Sequence, residues 1–240
     1  MFSADVDRTK VICDLQKFFS YKLRSGWLVS FLIFSFLSFG DDYLSSQCPN
    51  SGETKVLQPK QGTGYNFFEF RGDSSFRYFL DGKTFSLNTK DDPGKTFVFI
   101  DKMIYEPLLI EATQLKEYTQ SSKPIDILHA QAKHEQEYFK TANPPMQITD
   151  YGPASRKNSD GSDGRLFYLW KKEGGSGKQP VTQYLVSTLI KDGVFVMSFM
   201  TTDDSLSQDD MLRQIQSYTS HFDLLSNQQC AQVLAAPSAP

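Results

Sequence analysis

Histidine is the residue type in this sequence best suited to metal binding or proton transfer. The three histidines are His129, His134 and His221. His129 and His134 are five residues apart, which on a helix places them about 140° apart around the axis. Because a metal site needs ligands that converge on one ion, this spacing predicts no shared metal site. We interpret the histidines as surface or helix-flank residues.

Neighbouring carboxylates can act as an acid and a base, and three such pairs occur. They are Asp91 with Asp92, Asp203 with Asp204, and Asp209 with Asp210. The pairs fall in expected turns or at the start of an expected helix, where acidic side chains interact favourably with the helix dipole. The sequence also contains no Gly-x-Ser-x-Gly motif, the turn that presents a catalytic serine in α/β-hydrolases. We therefore predict no catalytic residue, no cofactor and no metal.

Two short motifs are similar to known binding sequences. Residues 174–178 look like a phosphate-binding loop, but Lys172 stands where that motif requires glycine and Gln179 where it requires serine or threonine. The segment is therefore predicted to be a loop between strands. Residues 71–73 spell the integrin-recognition tripeptide Arg-Gly-Asp. Since glycine and aspartate favour turns, we interpret the tripeptide as a turn between two strands, with cell adhesion as the alternative.

The first forty residues have the layout of a secretory signal peptide. Basic residues including Lys22 and Arg24 precede an apolar run of 13 residues at 27–39, and Gly40 precedes a possible cleavage site. One alternative is an uncleaved membrane anchor formed by residues 27–39, although a membrane-spanning helix needs about 20 apolar residues. The other is a buried core helix. The pattern predicts an exported protein, periplasmic or extracellular, that contacts a membrane only if this segment is retained.

The cysteines and the charge agree with export. Removal of residues 1–40 takes away Cys13 and leaves Cys48 and Cys230, one near each end of the chain. A pair of cysteines in an exported protein favours a disulfide, and two unpaired thiols are the alternative. Residues 1–40 hold five basic and three acidic residues, so the remainder has 20 basic and 25 acidic residues and a formal charge of −5. This charge gives no electrostatic basis for binding nucleic acid or anionic lipid.

Short apolar runs in the first half of the chain predict strands. After a polar arm at 41–64, the runs lie at 65–70, 76–80, 84–87, 96–100 and 108–112. Asp81-Gly82 between the second and third runs predicts a hairpin. Residues 124–142 instead show a helical repeat of apolar residues, with Pro124 in the first turn. A further strand is expected at 147–151.

The stretch from 163 to 225 carries the strongest structural signal. Three strands are expected at 165–170, 183–190 and 194–200, with a turn at Lys191-Asp192-Gly193. Both faces of these strands are apolar, which predicts a sheet that is covered on both sides. Ser207 and Asp210 have the spacing of a capping box. The apolar repeat that follows predicts a helix that extends to Leu225.

The order of these elements, with Gly152-Pro153-Ala154 at a strand entry, resembles the PsbP-like domain family over residues 76–225. The family includes exported, DcrB-like bacterial proteins. The resemblance implies an α+β fold in which helices cover both faces of an antiparallel sheet, an α/β/α sandwich. It also implies a non-catalytic role in binding or assembly, and it carries over no site residues because the family shares no catalytic motif.

The sequence predicts a single domain at 65–226 followed by a tail at 227–240. Its expected role is that of an exported binding or assembly module of the cell envelope, acting on an unknown protein or small ligand. Expected contact surfaces are a sheet edge or the loops at 90–95, 158–164 and 173–180. The alternative is a hydrolase-type enzyme with an unrecognised active site. A cluster of ionisable groups inside a cavity would favour that alternative.

Overall fold

A computed structural model provides the coordinates of the chain. It describes residues 47–59, 62–88, 97–115, 119–142, 144–157, 163–174, 181–201 and 206–236. The expected signal segment with its cleavage site, and the acidic pairs at 91–92 and 203–204, lie outside these residues. The three expected contact loops lie wholly or mainly outside them as well.

The described chain forms two antiparallel sheets and four helices. In chain order the strands are β1 (Thr54–Leu57), β2 (Tyr65–Glu69), β3 (Phe76–Leu80), β4 (Phe85–Asn88), β5 (Phe97–Ile100), β6 (Met103–Glu111), β7 (Gln147–Lys157), β8 (Asp163–Gly174), β9 (Val181–Ile190), β10 (Gly193–Thr201) and β11 (Asp223–Leu224). The helices are α1 (Ala112–Leu115), α2 (Pro124–Lys140), α3 (Gln208–Ser220) and α4 (Asn227–Ala235). The small sheet has the order β1-β2-β3-β11, and the large sheet has the order β4-β5-β6-β10-β9-β8-β7.

The predicted antiparallel meander at the centre of the large sheet is confirmed. β8 pairs with β9 and β9 pairs with β10, and a tight turn at Lys191 and Asp192 brings Ile190 opposite Gly193. Gly193 is required there because a Cβ atom would lie 2.1 Å from the carbonyl oxygen of Ile110 on β6. The turn therefore fixes both the hairpin and its close approach to the next strand.

The prediction that helices cover both faces of the sheet is wrong. On the outer face of the large sheet, Leu128 and Ala132 of α2 pack against Tyr168 and Trp170, as expected. The inner face is covered mainly by the small sheet, with α3 beside it. The protein is thus a mostly β structure in which two sheets pack face to face, with helices at its periphery. An apolar strand face shows that a cover exists, but sheets and helices bury it equally well.

The hairpin predicted at Asp81-Gly82 is also wrong, because the flanking strands belong to different sheets. β3 pairs with β2 and β11, whereas β4 pairs with β5. Gly82 has φ +152°, and a Cβ atom there would lie 2.1 Å from Cγ2 of Ile100. The Asp-Gly pair marks the point at which the chain crosses from one sheet to the other, since such a pair permits a sharp change of direction without choosing a strand partner.

Helix α3 is shorter than predicted. Its capping box is present, with Ser207 and Asp210 each bonding to the backbone of the other, but the helix ends at Ser220. Phe222 is fully buried beyond the helix, and Asp223 pairs with Arg77 of β3. After the helix the chain remains in the apolar interior as strand β11. The apolar repeat up to Leu225 therefore reflects a helix only as far as Ser220.

The two ends of the described chain are joined, and the predicted disulfide between Cys48 and Cys230 is confirmed. Cys230 lies in α4, a helix within the expected tail, and β1 lies within the expected polar arm. The two cysteines are buried with Phe68 and Phe70 against the outer face of the small sheet. The small sheet is therefore covered on both of its faces.

Candidate binding cleft between the two sheets

A cleft of about 230 Å³ lies between the two sheets. This space, which we call the inter-sheet cleft, is lined by residues of both sheets and is open to the surface on one side. Its lining residues are Gly52, Thr54, Val56, Phe67, Glu69, Arg71, Tyr78, Leu87, Val98, Pro107, Leu109 and Phe195. Engineered apolar cavities of about 150 Å³ bind benzene, so by proportion this cleft suits a ligand of roughly nine non-hydrogen atoms.

Strand β2 determines which polar groups face the inter-sheet cleft. Successive side chains of a strand point to opposite faces, so Phe67, Glu69 and Arg71 share the face that lines the cleft. Phe68 and Phe70 face the opposite way, into the cluster around the disulfide. Two charged residues therefore occupy inward positions at the end of an aromatic strand, where apolar residues would normally complete the core.

Glu69 is one of the most buried charged side chains in the described structure, with an exposed fraction of 6%. Its Oε1 accepts hydrogen bonds from Thr54 Oγ1 at 2.9 Å and from the Tyr78 hydroxyl at 3.5 Å. No described residue donates a hydrogen bond to Oε2. Burial raises the pKa of the Glu69 carboxyl, and this effect outweighs the lowering by the Thr54 hydrogen bond and by the positive charge of Arg71.

Arg71 is half-buried, and its guanidinium is not used to hold the fold. The Arg71 backbone N–H donates to Ser75 Oγ at 2.8 Å, which stabilises the turn after β2. The buried Nε of Arg71 has no hydrogen-bond acceptor among the described residues. The guanidinium also forms no ion pair within the described part of the chain, with Glu69 or with any other carboxylate. Arg71 and Glu69 therefore both line the cleft with part of their hydrogen-bonding capacity unused by described residues, although Nε of Arg71 itself is closed off from solvent.

The Arg-Gly-Asp tripeptide forms the turn between β2 and β3, as predicted. Arg71 lines the inter-sheet cleft, and Asp73 forms an ion pair with Lys191 at 2.6 Å. Gly72 has φ +55°, in the left-handed region. The Asp73 ion pair attaches this turn to the turn between β9 and β10. The arginine and aspartate side chains are thus directed toward different parts of the protein itself.

Apolar residues from both sheets form much of the remaining wall of the cleft. Val56 lies on β1, while Leu87, Val98 and Leu109 lie on β4, β5 and β6. Leu87 is 51% exposed, so the apolar lining continues to the surface. A partly apolar cleft with a few convergent polar groups is the usual form of a small-molecule site.

Of the residues considered for catalysis or metal binding, those that the structure describes do not gather at the cleft. The ring of His129 lies 5.8 Å from that of Tyr168 on the outer face of the large sheet, and His221 Nδ1 bonds with the carbonyl oxygen of Ser217 at 2.8 Å. Asp210 is engaged in the capping box of α3. No group of three or more metal-ligating side chains suited to an ion occurs in the part of the chain that the structure describes.

Sequence reasoning missed Glu69 and considered Arg71 only as part of the Arg-Gly-Asp tripeptide. The available signal was their position, since they continue the alternation that begins with Tyr65 and Phe67 and so share a face with aromatic residues. A charged residue in phase with buried aromatics indicates either a buried charge or the end of the strand. The sequence does not distinguish the two, because the answer depends on what packs above that face.

Neither a scan against protein-family models nor a search of curated proteins found a match to this chain. Within the described ranges, no helix has both the length and the hydrophobicity needed to cross a bilayer.

Proposed function

We propose that this protein is an exported, non-catalytic binding protein that holds a small ligand in the inter-sheet cleft. The observation that carries the proposal is the pair of charged residues, Glu69 and Arg71, which face an otherwise largely apolar cleft with unused hydrogen-bonding capacity. The proposed partner is a small molecule with both polar and apolar parts. The resemblance to the PsbP-like family stays a prediction, and the proposal does not depend on it.

Burying charged groups is unfavourable unless they are paired. An inward position on β2 filled only for stability would hold an apolar residue, as Phe67 does. Glu69 and Arg71 both lie at the cleft without forming an ion pair with each other. A ligand that supplies the missing partners would recover this unfavourable free energy as binding free energy.

Export is supported by the disulfide between Cys48 and Cys230, because disulfides persist in oxidising compartments outside the cytosol. The signal-like pattern at 1–40 is a second support. The test is N-terminal sequencing of the protein recovered from its native host. A mature chain that begins near Asp41 in the periplasm or medium is expected. Retention of residues 27–39 in the membrane fraction would instead support the anchor, and a reduced protein in the cytosol would refute export.

Binding is tested by thermal unfolding of the oxidised protein with a panel of small carboxylates, amines, zwitterions and uncharged alcohols. At least one class is expected to raise the melting temperature of the wild type, since a ligand that binds only the folded state stabilises it. Leu109→Trp should abolish that rise by filling the cleft. Arg213→Met, on the exposed side of α3, is the control and should respond as the wild type does. A flat panel, or an unchanged response in Leu109→Trp, would refute the cleft as the binding site.

The raised pKa of Glu69 favours one alternative, an enzyme that uses this carboxyl as an acid or base. Against it, the described lining of the cleft contains no serine, cysteine or histidine that could serve as a nucleophile or as a second acid–base group. Ester, peptide and glycoside substrates should therefore show no turnover above a heat-inactivated control. Turnover that is lost in Glu69→Gln would establish the enzyme instead.

A further inference from the structure

We propose that the ligand of the inter-sheet cleft is a small zwitterion of the α-amino-acid type with an apolar side chain. In this arrangement its ammonium group binds Glu69 and its carboxylate binds Arg71. The inference rests on the proposed function and adds the chemical class of the ligand.

The charge balance of the cleft favours a zwitterion over a ligand with one charge. Glu69 and Arg71 are the ionisable groups of opposite charge in the described lining. A monoanion that pairs with Arg71 brings a second negative charge close to Glu69, and a monocation that pairs with Glu69 does the same beside Arg71. Like charges in a poorly solvated site cost binding free energy. A zwitterion pairs both groups without changing the net charge of the site.

The spacing of the two residues suits one small molecule. Glu69 ends β2, and Arg71 follows two positions later with its side chain toward the same cleft. Two residues along a strand span about 7 Å between Cα atoms. The ammonium and carboxylate groups of an α-amino acid are carried by one carbon atom, so a single molecule placed between the two side chains reaches both.

The hydrogen bonds of Glu69 leave one of its oxygens for the ligand. Thr54 donates to Oε1 at 2.9 Å, and Tyr78 approaches the same oxygen, which leaves Oε2 for an ammonium group. On the other side, Arg71 lines the cleft and its terminal guanidinium nitrogens have no acceptor among the described residues, and a guanidinium binds a carboxylate through two parallel hydrogen bonds.

The size and the walls of the cleft define the rest of the ligand. A cleft of about 230 Å³ suits roughly nine non-hydrogen atoms by comparison with cavities that bind benzene, and leucine has this size. Its side chain would contact Val56, Val98 and Leu109, which line the cleft from both sheets.

The test is isothermal titration of the oxidised protein with L-leucine and two analogues that each lack one charge. The analogues are 4-methylpentanoate, without the ammonium group, and 3-methylbutylamine, without the carboxylate. L-leucine should bind, and each analogue should bind at least about tenfold more weakly, which corresponds to the loss of about 1.4 kcal/mol.

Two variants assign the two contacts. Glu69→Gln should weaken the binding of L-leucine, so that its affinity no longer exceeds that of 4-methylpentanoate. Arg71→Met should weaken the binding of L-leucine, so that its affinity no longer exceeds that of 3-methylbutylamine. Arg213→Met is the control and should bind as the wild type does, and thermal unfolding of each variant confirms that it is folded.

The outcomes separate this inference from the proposed function. If 4-methylpentanoate binds as tightly as L-leucine, the cleft is an anion site and the zwitterion is refuted. If L-leucine does not bind while another panel compound stabilises the wild type but not Leu109→Trp, the inference fails and the proposed function stands. If no compound binds, both fail.

Discussion

The two sides of the space between the sheets use the same kinds of residues for different purposes. On one side, which we call the closed side, Asp223 accepts hydrogen bonds from Arg77 at 3.0 Å and from Arg156 at 2.8 Å. On the other side, at the inter-sheet cleft, Glu69 and Arg71 form no ion pair with each other. Carboxylates and guanidiniums thus join elements on the closed side, whereas the described groups at the cleft form no such link, as the proposed ligand site requires.

The closed side is organised around the end of α3. Arg156 also donates from Nη1 to the carbonyl oxygens of Ser220 and Phe222, each at 3.0 Å. It thereby satisfies backbone groups that the helix leaves unpaired at its C-terminus. Phe222 is fully buried among the aromatic rings of both sheets. Paired charges and filled volume together indicate a structural role for this side.

The largest loss in the free energy of unfolding is expected from a cavity on the closed side. Phe222→Ala removes a fully buried ring that lies 5.2 Å from the ring of Phe76 and 5.7 Å from that of Tyr218. The expected loss in the free energy of unfolding is about 3–5 kcal/mol, measured by urea denaturation. Leu109→Ala is the matched change at the cleft and should cost less than half as much, because Leu109 already borders open space. Equal losses would contradict the contrast between the two sides.

Loss of the disulfide is expected to affect the cleft side first. Cys48 is followed closely by β1, whose Thr54 and Val56 line the cleft. Replacing both cysteines with serine should lower the free energy of unfolding by about 2–4 kcal/mol. Hydrogen exchange should accelerate more in β1 than in β9 and β10. Uniform acceleration across both sheets would show that the disulfide stabilises the whole fold and not the cleft edge in particular.

The smallest expected effect gives the most specific test. The contributions of Asp223 and Glu69 to stability should change with pH in opposite directions. Burial alone would raise the pKa of Asp223, but the hydrogen bonds from Arg156 and Arg77 outweigh it and lower that pKa. Asp223 therefore stabilises the fold above its unfolded pKa of about 3.9, and this contribution is lost as the pH falls through the lowered value. Burial raises the pKa of Glu69, so its contribution is fully present below about pH 4.3 and is lost as the pH rises through the raised value.

Melting temperatures from pH 2.5 to 8 measure this difference. At neutral pH, Glu69→Gln should raise the melting temperature by about 2–4 °C, equivalent to about 1 kcal/mol, and this gain should vanish near pH 4. Asp223→Asn should lower the free energy of unfolding at neutral pH by about 1 kcal/mol, a modest value because solvent screens a half-exposed pair. The same pH dependence in both variants would show that the two carboxylates do not differ in environment.

Local signals in the sequence predicted several elements well. The turn at Lys191-Asp192-Gly193 and the strands on either side of it were recognised because Asp-Gly between apolar runs closes a hairpin. Helix α2 was recognised from its repeat and from Pro124. The disulfide was predicted because removal of residues 1–40, which stays a prediction, would leave two cysteines. The turn and the helix depend on residues close in the chain, and the cysteine pairing depends on the absence of Cys13 as a competitor.

Predictions from the sequence were wrong where the structure depends on contacts between residues far apart in the chain. Phe67 and Glu69 occupy equivalent places in the alternation of β2 and both line the cleft, yet Phe67 also packs in the aromatic core, whereas Glu69 brings a carboxylate to the same face. Leu225 fits the helical repeat of apolar residues, but the helix ends at Ser220. Periodicity indicates which side chains share a face, but it contains no information about what will cover that face.

The order of strands within the meander, the position of α2 and the pairing of the cysteines followed from the residues alone, since short-range geometry leaves few alternatives. The arrangement of two sheets face to face, the addition of β11 and the inward placement of Glu69 and Arg71 were set by packing between segments far apart in the chain. A strand lowers its free energy by burying its apolar face against any complementary surface. Which surface it packs against is therefore determined by the tertiary structure as a whole.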